Sequence, residues 1–307
     1  MPKFKQDHRM RVIVGLDLSK RSEPAFTRAV GLALEHNAEL SILHVVNADL
    51  PETLESSHAQ YATTVMQDHA TRANNSGLSD VTQILARGRK YEKIADQAKQ
   101  VDADLVVLGI HRSRGSAADL LGTTVDRVLR LSDCPVLLVR RQTSHRYKRI
   151  LVAVDFSAAS RRALETALAL FPQAEVLAVN TWGWRLIPKD AALSEQPEQS
   201  EAHRLALSAF VREATEAAGP RSDGEARKIV ELVEAGRPEV VIPELADERL
   251  TDLVVVGTHA RTGLSHLLLG SVAQEIMLRV DTDVLAVPPL PAVQVSGTAV
   301  RDTLRVA

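Results

Sequence analysis

Ten short runs rich in Val, Ile, Leu and Ala punctuate the chain, at 11–17, 39–46, 81–86, 104–109 and 135–140, then at 149–155, 175–181, 228–233, 252–257 and 283–288. They are short and continuously apolar rather than alternating, which predicts strands buried on both faces of a parallel sheet. Between them the apolar period becomes helical. Ala25, Phe26, Ala29, Val30, Ala33 and Leu34 trace one stripe, and Val272, Ala273, Ile276, Met277 and Val280 trace another. Ser22 is placed to cap the first of these helices, with Pro24 in the first turn, where a missing N–H costs little. Strands alternating with helices predict right-handed βαβ crossovers and a doubly wound α/β sheet.

The pattern occurs twice. RVIVGLDLS (11–19) returns as RILVAVDFS (149–157), 138 residues on. ARGR (86–89) returns as EAGR (234–237), and DLVVLGIHRSRG (104–115) as DLVVVGTHARTG (252–263), both 148 residues on. The second copy is therefore ten residues longer in its middle. Two homologous domains are predicted, 1–142 and 143–290, followed by a tail, 291–307, without apolar period. The extra length falls in TWGWRLIPKDAALSEQPEQS (181–200), which reads as a long loop over the core, with a lid or partner surface as the alternative. The basic run RRQTSHRYKR (140–149) reads as a solvated linker.

Composition narrows the chemistry. With 37 Lys and Arg against 39 Asp and Glu in 307 residues, no global field recruits nucleic acid or an anionic membrane. The single cysteine, Cys134, cannot form an internal disulfide; it precedes Pro135 at a strand start and reads as structural. No apolar stretch has signal-peptide or membrane-spanning length, so a soluble cytoplasmic protein is expected. The ten histidines show no HExxH, and GLSHL (263–267) is not a GxSxG elbow. A Walker lysine and a GxGxxG after a strand are also missing. No general base is identifiable, and a non-enzymatic role is expected, with slow hydrolysis left open.

Ligands of open α/β sheets bind beyond the carboxyl ends of the strands. After the first strand each copy has Asp then Ser two residues on: Asp17 and Ser19, Asp155 and Ser157. These carboxylates can accept from an exocyclic amine or a ribose hydroxyl, or can cap the next helix. After the fourth strand, Gly257 allows a sharp turn and Gly270-Ser271 stands at a helix start, where free N–H groups and the helix dipole favour an anion. The same two residues can equally end a loop and cap a helix. His111 and His259 occupy equivalent positions in this loop, beside a phosphate or packed on the neighbouring helix.

VDFS after a strand, EAGRPEVVIPELADE, DLVVVGTHARTG and LLLGSVAQEI together resemble the universal stress protein family in its tandem form, over about 5–290. The resemblance implies two tandem Rossmann-like, doubly wound five-stranded parallel sheets in the order 3-2-1-4-5. It also implies intramolecular pairing of the domains through their fifth strands, in a unit that can form a homodimer. ATP-binding members carry Gly-x2-Gly-x9-Gly-Ser/Thr after the fourth strand. By position the second half supplies Gly257, Ala260, Gly270 and Ser271, with Val272 following, and the first half Gly109, Arg112, Gly122 and Thr123. Asp17 and Asp155 then face adenine or ribose, with Val45 and Thr181 beside the base. The implied ligand is ATP or a related adenine nucleotide, accompanied by Mg2+, held in the second half by a sensor or regulator; the first half reads as degenerate. The alternative is a stress scaffold that binds no nucleotide and acts through domain pairing and partner contacts.

Overall fold

The computed structural model describes residues 9–48, 51–110, 122–143, 145–183, 197–221, 223–258 and 269–289. The first half contains strands β1 (Arg11–Gly15), β2 (Glu39–Val46), β3 (Val81–Arg87), β4 (Leu105–Gly109) and β5 (Val136–Val139). Its helices are α1 (Glu23–Glu35), α2 (Glu52–Asn75), α3 (Lys90–Gln100) and α4 (Gly122–Leu131). The second half repeats them as β6 (Arg149–Val154), β7 (Glu175–Trp182), β8 (Ile229–Ala235), β9 (Leu253–Gly257) and β10 (Asp283–Val287). Its helices are α5 (Ala158–Leu170), α6 (Pro197–Ala218), α7 (Pro238–Glu248) and α8 (Ser271–Arg279).

Each half has the strand order 3-2-1-4-5, and the two merge into one ten-stranded sheet, β3-β2-β1-β4-β5-β10-β9-β6-β7-β8. The junction is the antiparallel pairing of β5 with β10, Leu138 opposite Val284 and Val136 opposite Ala286; all other neighbours are parallel. This is the intramolecular pairing that the family resemblance implies. Alternate strand residues serve two cores. Val12, Val14, Leu40 and Ile42 pack with α1 and α2, while Ile13, Leu43 and Val45 pack with α3 and α4. Burial on both faces explains why the runs of the eight inner strands are apolar without alternation, whereas the edge strands β3 and β8 are mostly half-buried or exposed and carry polar residues in their runs.

Most of the 140–149 run is exposed, as its charge suggests, but Tyr147 is buried and the segment is tied to β10 and α1. Asp283, 2% exposed at the start of β10, accepts the N–H groups of Arg140 (2.8 Å) and Arg141 (3.3 Å) and the Tyr147 hydroxyl (2.7 Å). Arg28 on α1 lies 3.5 Å from the same carboxylate and 4.0 Å from the Tyr147 ring centre, and it donates to the His145 carbonyl at 2.7 Å. The Arg140 guanidinium reaches the Met277 carbonyl on α8. Pairing β5 with β10 brings a carboxylate beneath the chain leaving β5. A buried carboxylate needs donors, and the connecting segment supplies them. Burial and the neighbouring Asp283 push the Tyr147 phenol well above its ordinary value.

Candidate functional site

The carboxyl ends of β1 and β6 are built alike. Leu18 (φ 60°) and Phe156 (φ 63°) both sit in the left-handed region, which for an L side chain costs roughly 1–2 kcal/mol. The preceding aspartates hold that turn. Asp17 Oδ1 accepts the Ser19 N–H at 2.9 Å and the Ser19 hydroxyl at 2.8 Å, and Asp155 Oδ1 accepts the Ser157 N–H at 3.0 Å. The Asp-x-Ser spacing thus encodes an Asx-type turn, and neither of the two readings open at the sequence level, ligand contact or helix cap, anticipated it.

Capping falls to other residues. Ser157, with extended backbone (φ −78°, ψ 164°), accepts the Ser160 N–H and caps α5. Ser22 makes no side-chain cap: its backbone is already helical (φ −87°, ψ −7°), and its hydroxyl donates to the Ser19 carbonyl at 2.9 Å. A capping side chain needs the extended geometry that Ser22 lacks.

At the end of the second strand each half carries a buried polar residue that sequence reading missed. His44 Nδ1 donates to the Leu16 carbonyl and Asn180 Nδ2 to the Val154 carbonyl, both at 2.8 Å. A polar residue inside an apolar run, repeated in both copies, was the available signal. Burial holds the His44 imidazole below its ordinary value, with His58 and Lys90 acting in the same direction. Asn180 Oδ1 in turn meets His203 Nδ1 at 2.7 Å.

The glycines ending β4 and β9 serve close approach. A Cβ on Gly257 would lie 2.7 Å from the Ala159 carbonyl carbon, and one on Gly109 would lie 3.3 Å from the Arg21 carbonyl oxygen. They let the first turns of α5 and α1 rest on the sheet. The sharp turn expected at Gly257 is not its described role, since its φ is not among the positive ones. Positive φ instead occurs at Gly88 (138°) and Gly236 (135°), which accounts for the shared ARGR and EAGR blocks before α3 and α7.

At the start of α8 the Gly270 N–H donates to the Thr258 carbonyl at 2.7 Å, joining the two ends of the loop after β9. Gly270 is extended (φ −63°, ψ 134°) and provides no side-chain cap. The N–H groups of Ser271, Val272 and Ala273 therefore have no intrahelical acceptor. Ala260 and His259 in this loop, and His111 and Arg112 in its counterpart, lie outside the described residues, as do most of 181–200 and all of the tail. Gly122 and Thr123 open α4.

In the first half these elements enclose a cleft of about 220 Å³. It brings together Asp17, Val45 and Gly109 from the expected set, with Leu43, Ile94, Thr124 and Lys90 completing its walls. Asp155, Thr181, Gly257 and Gly270 occupy the equivalent positions at the ends of β6, β7 and β9 and before α8. Lys90 is a residue the sequence reading passed over. Among the described residues, Arg89 pairs with Glu92, Lys93 with Asp96 and Lys99 with Asp133, whereas Lys90 has no carboxylate partner.

The remaining chemistry is sparse. Among the described residues no group of three or more His, Cys, Asp and Glu could hold a metal ion, and no helix is long and apolar enough to cross a membrane. Burial pushes the Cys134 thiol up to about 11, which leaves it a poor nucleophile.

The family model described as the Universal stress protein family matches twice, at residues 8–140 and 146–288. A universal stress protein of Mycobacterium tuberculosis is 26% identical over 290 residues, covering 87% of this chain and 92% of the relative. Among solved structures, a universal stress protein from Archaeoglobus fulgidus superposes with a TM-score of 0.68 at 19% identity, covering 91% of this chain and 96% of the other. A Pseudomonas aeruginosa protein described as functionally unknown gives a TM-score of 0.65 at 20% identity, covering 92% and 93%. Two family matches that together span nearly all of the sheet leave one conclusion: the chain belongs to the universal stress protein family.

Proposed function

We propose that this chain is a non-catalytic, cytoplasmic stress-response protein that binds ATP or a related adenine nucleotide in its second half and acts as a sensor or regulator. The observation that carries this reading is the start of α8. The loop after β9 is closed at its base by the Gly270-to-Thr258 hydrogen bond, and the first-turn N–H groups of α8 stand beside it without intrahelical acceptors. That donor set fits a phosphate, with the helix dipole adding to it. Asp155 and Thr181 would meet ribose and base, and the Ser271 hydroxyl supplies one more oxygen for the phosphates or the accompanying Mg2+. Nothing in this set offers a general base, which favours binding over turnover.

The first-half cleft supports a second nucleotide position, since it joins Asp17, Val45 and Gly109 around an open volume. The test is to denature the purified protein, analyse the supernatant for adenine nucleotides, and titrate the emptied chain with ATP by calorimetry. Gly270→Val is expected to abolish second-half binding, and Gly122→Val to leave that binding intact. No copurifying nucleotide together with no calorimetric signal would sink the proposal.

A further inference from the structure

The first-half cleft runs across the strand ends in a fixed order. Gly109 and Thr124 stand at the β4 end, Asp17 in the middle, and Val45 then Lys90 at the β2–α3 end. Since β4, β1, β2 and β3 are consecutive neighbours and strands lie roughly 4.8 Å apart, the β4-to-β3 span is about 14 Å. At the far end the wall is formed by Leu43, Val45 and Ile94 together with the polar His44, and its single charged group is Lys90, exposed at the cleft mouth. Among the described residues this ammonium has no hydrogen bond or carboxylate partner, although Arg89 just before it and Lys93 and Lys99 on α3 do.

The geometry points to Lys90 as the residue that sets base preference in this cleft, selecting a purine with a carbonyl oxygen at its six-position over adenine. The inference rests on the reading of the first-half cleft as a nucleotide position, with the phosphates toward α4. The base then lies against Leu43, Val45 and Ile94, and its edge away from the ribose faces the ammonium. A lysine ammonium offers three donors and no acceptor. A six-oxopurine presents an acceptor to it and forms a charge-assisted hydrogen bond, whereas adenine presents a second donor that stays unpaired. The equivalent position in the second half is Pro238, which has no donor at all. The two halves of one chain therefore differ in the base they favour.

The test compares ITP with ATP, which differ only at the six-position and the adjoining N1 proton. Calorimetry is performed on the full chain carrying Gly270→Val, so that the first-half position alone reports. ITP is expected to bind about tenfold more tightly than ATP, the size of one charge-assisted hydrogen bond, and Lys90→Pro and Lys90→Met should each erase the difference. Lys90→Pro borrows the residue of the second half at a helix position where proline is favoured, and Lys90→Met keeps the length of the stem. Equal affinity for ITP and ATP, or a preference that survives both substitutions, overturns the inference. An equal loss for both nucleotides also overturns it, because Lys90 then contacts phosphate. If neither nucleotide binds, the nucleotide reading of the cleft fails together with it.

Discussion

Replacing His44 with asparagine uses one half of the molecule to predict the behaviour of the other. Asn180 stands where His44 stands and makes the same 2.8 Å bond to the carbonyl ending the neighbouring strand, so His44→Asn should keep that bond. It should lose the edge-on contact with the His58 ring, whose centre lies 5.4 Å away, and cost about 0.5–1.5 kcal/mol at pH 8. The pH dependence is the sharper consequence. His44 is 3% exposed and burial lowers its pKa, so the folded state favours the neutral ring. The unfolded chain binds more protons once the pH falls below about 6.5, the ordinary histidine value. Wild-type stability should therefore be unaffected above that pH and decline below it, by at most about 1.4 kcal/mol per pH unit from this residue. At pH 5 that amounts to no more than about 2 kcal/mol, enough to close or reverse the gap to the variant. Urea unfolding of both proteins at pH 8, 6.5 and 5 measures it. Some acid sensitivity should persist in the variant, because burial also lowers the pKa of His36. A gap between wild type and variant that stays constant from pH 8 to 5 would refute the assignment of His44 as a neutral buried group.

Two pairs of substitutions probe the frame that positions the candidate site. Asp283→Asn leaves the Arg28 guanidinium, 5% exposed, without its buried counter-charge, and should cost about 3–5 kcal/mol in urea unfolding. Combining it with Arg28→Met should cost clearly less than the two single losses added together; strict additivity would mean that the pair does not interact. Gly257→Ala should destabilise by about 1–3 kcal/mol, since its methyl would press on the Ala159 backbone, and Gly109→Ala by less, since the nearest atom is farther away. Thermal melts rank the two, and the opposite order would refute the close-approach role.

Periodicity reaches only what a residue does to its own face or turn. All ten strands were legible: burial on both sheet faces writes the eight inner strands as continuous Val, Ile and Leu runs, and the repeat of the pattern places the half-exposed edge strands β3 and β8 with them. What the sequence could not disclose depends on which strands become neighbours. The basic run at 140–149 carries the composition of a solvated connection, and nothing local marks Tyr147 as buried or Arg140 as bonded across the fold. Only the antiparallel meeting of β5 and β10 brings Asp283 beneath them and turns charge into structure. The same limit holds at the candidate site. Asp17 and Asp155 were found from their position after a strand, but the sequence did not show that one oxygen of each is already committed to its own turn. Nothing in the sequence marks Lys90, and in the fold it is exposed at the start of α3. What sets it apart is that among the described residues Arg89, Lys93 and Lys99 around it have carboxylate partners and it has none, while the end of its helix faces a cleft whose other walls come from β1, β2, β4 and α4. Each of these surprises is a contact across the fold, and each replaces an expectation drawn from the chain alone.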